Sequence, residues 1–541
     1  MSSGSIWTSE KKKVTWIRER LCVYGNQYDF YKFAARNRPR YSIRLQHLHL
    51  AMASLAYAFL LAIGLLVAKF LYVGLTCPTK HLPGPWYTRF THYRLKRAVV
   101  TGQRIFYIDS LHEKYGPIVR LSPTEVAVAD LDAFKEIHKI GTKYMKSEWY
   151  LRLANFPKAG VFTMLDPREH GPRRKLLSRS FSRTYLVEHW ESVVRDKALM
   201  AVTKIKADAM QSTADVYNWW MLLASDVSAH LAFGDSFGML ESGHQNQFMR
   251  VLKKLTMGAG IMVEMPFLRL LRFVPVPAVQ EMFNANEFIL AGAGKAVETA
   301  RSRTGENNIF AKVIEDCEKE GEGHIDDMDV RIEAMNVIIA GTDTTGVTLT
   351  YLTWAVLQRP ELQAALEAET AALEEGFTEN DLIKLPLLNA VIEETLRLYG
   401  AAPSSLPRVV PQGGTKFAGH YIPQGVTVDT QAYTFHRDPK IWSDPLTFNP
   451  QRWIADKEGM VAEAQSPAAK LAFHPFGAGA RSCIGIHLAR MELRYAVAFF
   501  FRDCRGIRLA ESTTPESMEF ENFFLIAPKA HRCEITFKQG L

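Results

Sequence analysis

Cys483 is the residue in this chain best placed to do chemistry. It lies in Phe476-Gly477-Ala478-Gly479-Ala480-Arg481-Ser482-Cys483-Ile484-Gly485, a glycine-rich loop leading into an apolar helix. Glycines permit turns with φ > 0 and let a flat group lie directly on the backbone. Converging N–H groups at a helix start would favour the thiolate. A lone thiolate in such a cradle suits an axial ligand to haem iron, where electron donation favours O–O cleavage. A single buried cysteine is usually inert. Here, however, the pattern FxxGxRxCxG fixes five positions, with a chance occurrence on the order of 10⁻⁴. Two further groups carry charge where a helix does not want it. Asp343 and Thr344 interrupt an apolar stretch, where a carboxylate is costly without a task or a partner; an acid–alcohol pair with water can relay protons. The alternative is a capping or kink-stabilising pair, and Gly341 with Thr344 back-bonding is expected to kink the helix. Glu394 and Arg397 stand three apart on one helix face, where a guanidinium can bind the carboxylate bidentately. The plain alternative is a surface ion pair.

The elements that must position these groups are mostly helical. Residues 333–357 are apolar and long, closed by Pro360; 362–376 is rich in Ala, Leu and Glu with Gly376 as its stop; 387–399 and 484–501 read as two further helices. Short β-branched runs at 118–121, 125–128 and 426–428 predict a small sheet. Of the 541 residues, 47% are hydrophobic and 23% charged, ordinary for a globular protein. Six scattered cysteines without CxxC pairs exclude a disulfide scaffold and a structural zinc site. Of the net charge of +8, +7 resides in residues 1–47, which hold ten Lys/Arg against three Asp/Glu; the rest is nearly neutral, so no nucleic-acid surface is implied. From Leu50 to Ala68 no charge occurs, enough to cross a bilayer. The organisation read here is a basic tail (1–47), a transmembrane anchor (48–75), a proline-rich hinge (76–88) and one large domain (89–541). Flanking charges, five Lys/Arg before the anchor and two after, favour a cytosolic N-terminus.

Taken together, the motifs resemble the cytochrome P450 superfamily. The loop around Cys483 matches its haem-ligand signature, Glu394-Thr395-Leu396-Arg397 its ExxR motif, and Ala340–Thr345 its AGx[DE]T[TS] motif. Phe448-Asn449-Pro450-Gln451-Arg452-Trp453 resembles the segment whose arginine joins ExxR. The anchor followed by Leu82-Pro83-Gly84-Pro85, with 406–411 and 431–439, is similar to the microsomal enzymes of filamentous-fungal secondary metabolism. The resemblance implies a mainly α, triangular fold with small peripheral sheets, haem b, and Cys483 as the iron's axial ligand. It also implies that Phe476, Gly477 and Gly485 shape the haem loop and that Glu394, Arg397 and Arg452 form a structural network. Arg481, Arg408, His170 and Arg174 become the candidates for the propionates, Arg174 being chosen over Arg173 by its i,i+4 spacing from His170, and Asp343 with Thr344 the relay. The implied activity is monooxygenation of a lipophilic polyketide or terpenoid, including mycotoxins, with electrons from an NADPH-dependent reductase and cytochrome b5 as an additional donor; no dinucleotide-binding motif exists in the chain itself. Arg490 and Arg494 are candidates for docking that reductase. Residues 143–163, 257–277 and 522–526 are candidates for substrate contact, the middle one also for dipping into a membrane surface. A haem-thiolate isomerase or dehydratase, or a haem-binding protein without activity, are the competing readings. The resemblance places the body on the cytosolic face of the endoplasmic reticulum, against the charge count, and that placement is preferred here.

Overall fold

The computed structural model describes residues 27–154, 156–302, 308–320, 325–455 and 462–537. Residues up to Tyr72 and the segment from Val73 onward form two separate compact units. The first, in its described part, is carried by helix α1 (Gln27–Thr76); of the basic tail, residues 1–26 lie outside the described residues. Within α1, His49–Thr76 has a mean hydropathy of 2.4 and no buried window, so it is long and apolar enough to cross a membrane.

The second unit begins with the proline-rich segment, which is bound tightly to the body. Arg120 donates from Nη1 to the carbonyls of Thr79 (3.1 Å) and Leu82 (2.8 Å) and from Nη2 to that of Pro85 (3.1 Å). Cys77, Thr79 and Leu82 are buried beneath it.

Six helices and one sheet position the chemistry. Helix α2 (Pro167–Ser180) contains Gly171-Pro172 without breaking, starting from the Asp166 cap that accepts the Arg168 N–H. Helices α3 (Arg183–Gln211) and α4 (Val216–Phe233) bury apolar stripes against their neighbours, α4 on almost every face. Helix α5 (Asp327–Leu357) starts at a reciprocal capping box between Asp326 and Asp329. It runs without a break through 340–345. Gly341 permits close packing: a Cβ there would stand 2.2 Å from Ser228 Oγ of α4, and one on Gly346 would stand 2.5 Å from Met221 Sδ. Thr344, Thr348, Thr350 and Thr353 each donate to the carbonyl four residues back, so hydroxyls inside this apolar helix are satisfied without leaving it. Helix α6 (Pro386–Tyr399) carries Glu394 and Arg397, and α7 (Ile486–Asp503) follows the cysteine loop and packs on α3.

The sheet has the order β1-β2-β5-β4-β3, with β1 (Ile118–Ser122), β2 (Glu125–Val128), β3 (Met145–Lys146), β4 (Arg408–Val409) and β5 (Thr427–Asp429). Only β2 and β5 pair in parallel. The antiparallel register of β3 and β4 sets Lys146 directly opposite Arg408. Like charges facing across a ladder repel.

Candidate active site

The cysteine loop is built from backbone geometry. Gly477 and Gly479 adopt φ of 70° and 64°, the left-handed region that disfavours side chains. Gly479 is also sterically locked, because a Cβ would lie 1.8 Å from the carbonyl oxygen of His138. The Cys483 N–H donates to the Phe476 carbonyl (2.7 Å), closing the loop. Phe476 is half-buried under the Arg490 guanidinium. Cys483 is open to water on one side. Even so, burial pushes its thiol pKa up, and the Gly485 N–H and Arg174 pull it only part of the way back. The Gly485 N–H and the Arg174 guanidinium are the groups that favour the thiolate.

Beside the loop is a concentration of positive charge. Lys146 and Arg408 are buried, as is His170; Arg174 and Arg481 are half-buried. Their donors go to neutral groups: Lys146 Nζ to the Phe162 carbonyl (2.5 Å), Arg408 Nη1 to Tyr150 Oη (3.1 Å), Arg481 to the Met164 and Leu165 carbonyls (2.7 and 3.0 Å), Arg174 Nη2 to Ser482 Oγ (3.3 Å). Among the described residues none of these four cations is paired with a carboxylate. Burial, with Arg408 and Arg481 adding to it, pushes the Lys146 ammonium well below its ordinary pKa. Burial and Arg408 bring Arg481 down to about 10, which Asp166 offsets only in small part. His170 is lowered to about 3 by burial and by Arg481. Such a cluster is complete only with an anion.

On helix α5, Ala340 is exposed although the helix around it is mostly buried, which marks an opening into the interior. Thr344 Oγ1 donates to the Ala340 carbonyl (2.6 Å) at that place. Burial raises the pKa of Asp343, and the Lys253 ammonium moderates the rise.

Glu394, by contrast, is saturated. Its Oε1 accepts from Arg397 Nη2 (2.8 Å), Arg452 Nε (3.1 Å) and the Asn449 N–H (2.9 Å); its Oε2 accepts from Arg397 Nε (2.9 Å) and Trp453 Nε1 (2.9 Å). The three charged side chains are entirely enclosed, so the surface-pair alternative falls away. Arg397 Nη1 continues to the carbonyls of His436 (2.6 Å) and Pro445 (2.7 Å), fixing the segment that leads to the loop.

Several functional positions escaped the sequence reading. Lys146 and Tyr150 lie within the broad segment considered for substrate, yet they join the cation cluster; the signal is a strand pairing between segments far apart in the chain. Trp453 was quoted only as part of a motif. In the other direction, Arg490 and Arg494 are committed internally, to Glu393 (2.7 Å) and to Glu379 (2.5 Å), and so are not free charges for docking a partner. Arg173 and Arg174 diverge, the former reaching Asp329 (3.1 Å) in place of the cysteine loop.

The residues present fit a flat dianionic macrocycle with a soft-ligand metal: an open thiol, a glycine floor, and buried cations lacking an anion. Comparison with known proteins agrees. The family model described as Cytochrome P450 matches residues 81–534. Cytochrome P450 monooxygenase stcB of Emericella nidulans is 40% identical over 492 residues, covering 88% of this chain and 92% of that protein. Cytochrome P450 monooxygenase aflV of Aspergillus parasiticus is 38% identical over 480 residues, 87% and 93% of the two chains. Methylphloroacetophenone oxidase of Cladonia uncialis is 34% identical over 410 residues, 74% and 90%. Among solved structures, the haem domain of cytochrome P450DA superposes with a TM-score of 0.71 at 18% identity, covering 85% of this chain and 98% of that one.

Proposed function

The chain belongs to the cytochrome P450 family, a haem b-binding monooxygenase family, and from that premise we propose that Cys483 ligates the iron in a membrane-anchored enzyme that inserts one oxygen atom into a lipophilic fungal metabolite. The observation that carries the assignment is the open Cys483 thiol beside buried cations that face no carboxylate. When bound, haem supplies the O₂ activation; the overall reaction combines substrate, O₂, two electrons and two protons to give hydroxylated or epoxidised product and water.

The chain's own side chains then have definite tasks. Gly477, Gly479 and Gly485 keep the backbone low, and the Gly485 N–H donates towards Cys483 Sγ. Arg174, Arg408, Arg481, His170 and Lys146 hold the two propionates, which relieves the mutual repulsion of the cations. Asp343, its carboxyl raised by burial, is able to carry a proton and release it. The Thr344 hydroxyl donates to the Ala340 carbonyl and keeps its lone pairs free to accept from water. Glu394, Arg397 and Arg452 are structural.

Electrons come, in this reading, from an NADPH-dependent reductase, with cytochrome b5 as a further donor. Phe267, Leu270, Leu271 and Phe273 are exposed along Pro266–Phe273 with Arg269 and Arg272 between them, a composition suited to a lipid interface. Together with the apolar span 49–76 this supports membrane association; the endoplasmic reticulum and the cytosolic body follow, in this reading, from the resemblance to microsomal enzymes. The substrate proposal, a polyketide or terpenoid, rests on the fungal monooxygenases it resembles, one of them named for oxidising methylphloroacetophenone.

The test is the CO difference spectrum of the reduced protein, with Cys483→Ala in parallel. A strongly red-shifted Soret band that disappears in the variant establishes thiolate ligation; a histidine-type band in the wild type overturns it.

A further inference from the structure

The stretch from Phe156 to Asp166 lies between the site and the start of α5, and it is fastened on both sides. On the α5 side, the Val161 N–H donates to Glu333 Oε1 (2.7 Å), a carboxylate that is 1% exposed. Glu333 Oε2 accepts from Asn336 Nδ2 (3.0 Å), and Arg173 lies 3.7 Å away. The Lys158 ammonium pairs with Asp326, and Asp329 lies 3.8 Å from it. Gly160 is pressed against this wall, since a Cβ there would stand 2.3 Å from Asn336 Nδ2. On the other side, the three carbonyls of Phe162, Met164 and Leu165 are held by Lys146 and Arg481, two members of the cation cluster. The Lys146 ammonium also stands over the rings of Tyr150 (4.1 Å) and Phe162 (4.7 Å).

From this double attachment we infer that residues 156–166 form a strap that couples the N-terminal end of α5 to the propionate cations, with Glu333 as its positioning residue. The inference rests on the proposed haem site. A buried carboxylate must be met by donors, and here one of them is a loop N–H, which ties the loop to α5; on the other side Lys146 and Arg481, neither paired with a carboxylate among the described residues, direct their donors to the loop's carbonyls, which fixes where they point. With the strap seated, Lys146 and Arg481 are held ready for an anion. With the anion present, both cations are fixed and the strap is held in turn. The two events are linked, and linkage is reciprocal.

Val161 offers a clean way to cut one side. It is the second residue of a turn closed by the Thr163 N–H on the Gly160 carbonyl (2.9 Å), a position that favours proline. Val161→Pro removes the donor to Glu333 without touching a charge; Glu333→Gln keeps an acceptor and serves as the conservative partner. In the haem-loaded, full-length protein, two readouts are taken: the rate of haem transfer to an apo-globin acceptor, and amide hydrogen exchange of 156–166. Val161→Pro is expected to speed haem loss by roughly tenfold, the size of one hydrogen bond to a charged group. It also deprotects the strap and leaves the thiolate-type CO band where it was; Glu333→Gln does less of both. Reciprocally, Lys146→Met deprotects 156–166 although it lies on the opposite side. Deprotection by Val161→Pro with unchanged haem loss, or a strap indifferent to Lys146→Met, overturns the coupling. If the wild type itself lacks the thiolate-type band, the failure is that of the Cys483 assignment instead.

Discussion

Two charged clusters lie in the same body and obey opposite rules. Around Glu394, five donors meet one carboxylate, Arg452 reaches a second carboxylate at Glu463 (2.5 Å) so that each arginine has a counterpart, and Glu394 itself is shut off from water. Around Lys146, Arg174, Arg408 and Arg481, the charges share one sign, and the donors settle for carbonyls and hydroxyls. The first cluster is closed on itself and serves the fold; the second is left open and awaits a ligand. Local satisfaction, more than charge or burial, separates structural from functional polar groups here.

The contrast is broken most severely from the closed side. Removing one partner of a buried pair leaves an uncompensated charge, so Glu394→Ala should cost about 3–5 kcal/mol and yield little folded protein; the amount of soluble, cooperatively melting protein measures it. Next is the loop floor, where the two glycines should differ. Gly479→Ala drives a methyl into the His138 carbonyl and should cost about 3 kcal/mol, while Gly477→Ala meets nothing closer than 3.8 Å and pays only conformational strain of about 1–2 kcal/mol. Denaturant midpoints of both variants decide it. The open cluster should show a reversal of sign. Lys146→Met is expected to stabilise the haem-free protein by about 1 kcal/mol, because a buried, repelled ammonium is gone, and to destabilise the haem-loaded form. Equal effects on both forms would erase the distinction. The last comparison concerns pH. His170 has a folded pKa of about 3 against 6.5 when unexposed to the fold. Between those values the unfolded chain binds the extra proton, so the haem-free protein loses stability as pH falls from about 6.5 towards 3. His170→Gln should flatten that slope in melting temperature.

Sequence reading reached what neighbours in the chain can show. Glu394 and Arg397 share a helix turn, the glycines flank Cys483, and the β-branched run at 125–128 forms strand β2; all are local signals. Helix ends were less legible. The Ala/Glu-rich helix stops at Ala371, where its last N–H groups turn to i−3 carbonyls, and Gly376 with φ of 80° belongs to the next turn. What remained hidden depends on pairing across long distances: Lys146 opposite Arg408, Val161 against Glu333, and the carboxylates with which Arg490 and Arg494 pair. A lysine in a two-residue strand gives no periodicity, and an arginine on a helix looks solvated until its partner helix is known.

The threonines of α5 carry a consequence for spectroscopy. Ala340, Thr344, Gly346 and Leu349 have carbonyls that accept a hydroxyl in addition to the helix's own N–H. A carbonyl that accepts twice vibrates at a lower frequency than its singly bonded neighbours. This helix therefore carries its own infrared reporters, one of them at the residue beside Asp343. An isotope label on the Ala340 carbonyl would shift upward when Thr344 turns its hydroxyl elsewhere, so the handing-on of a proton could be watched from the backbone.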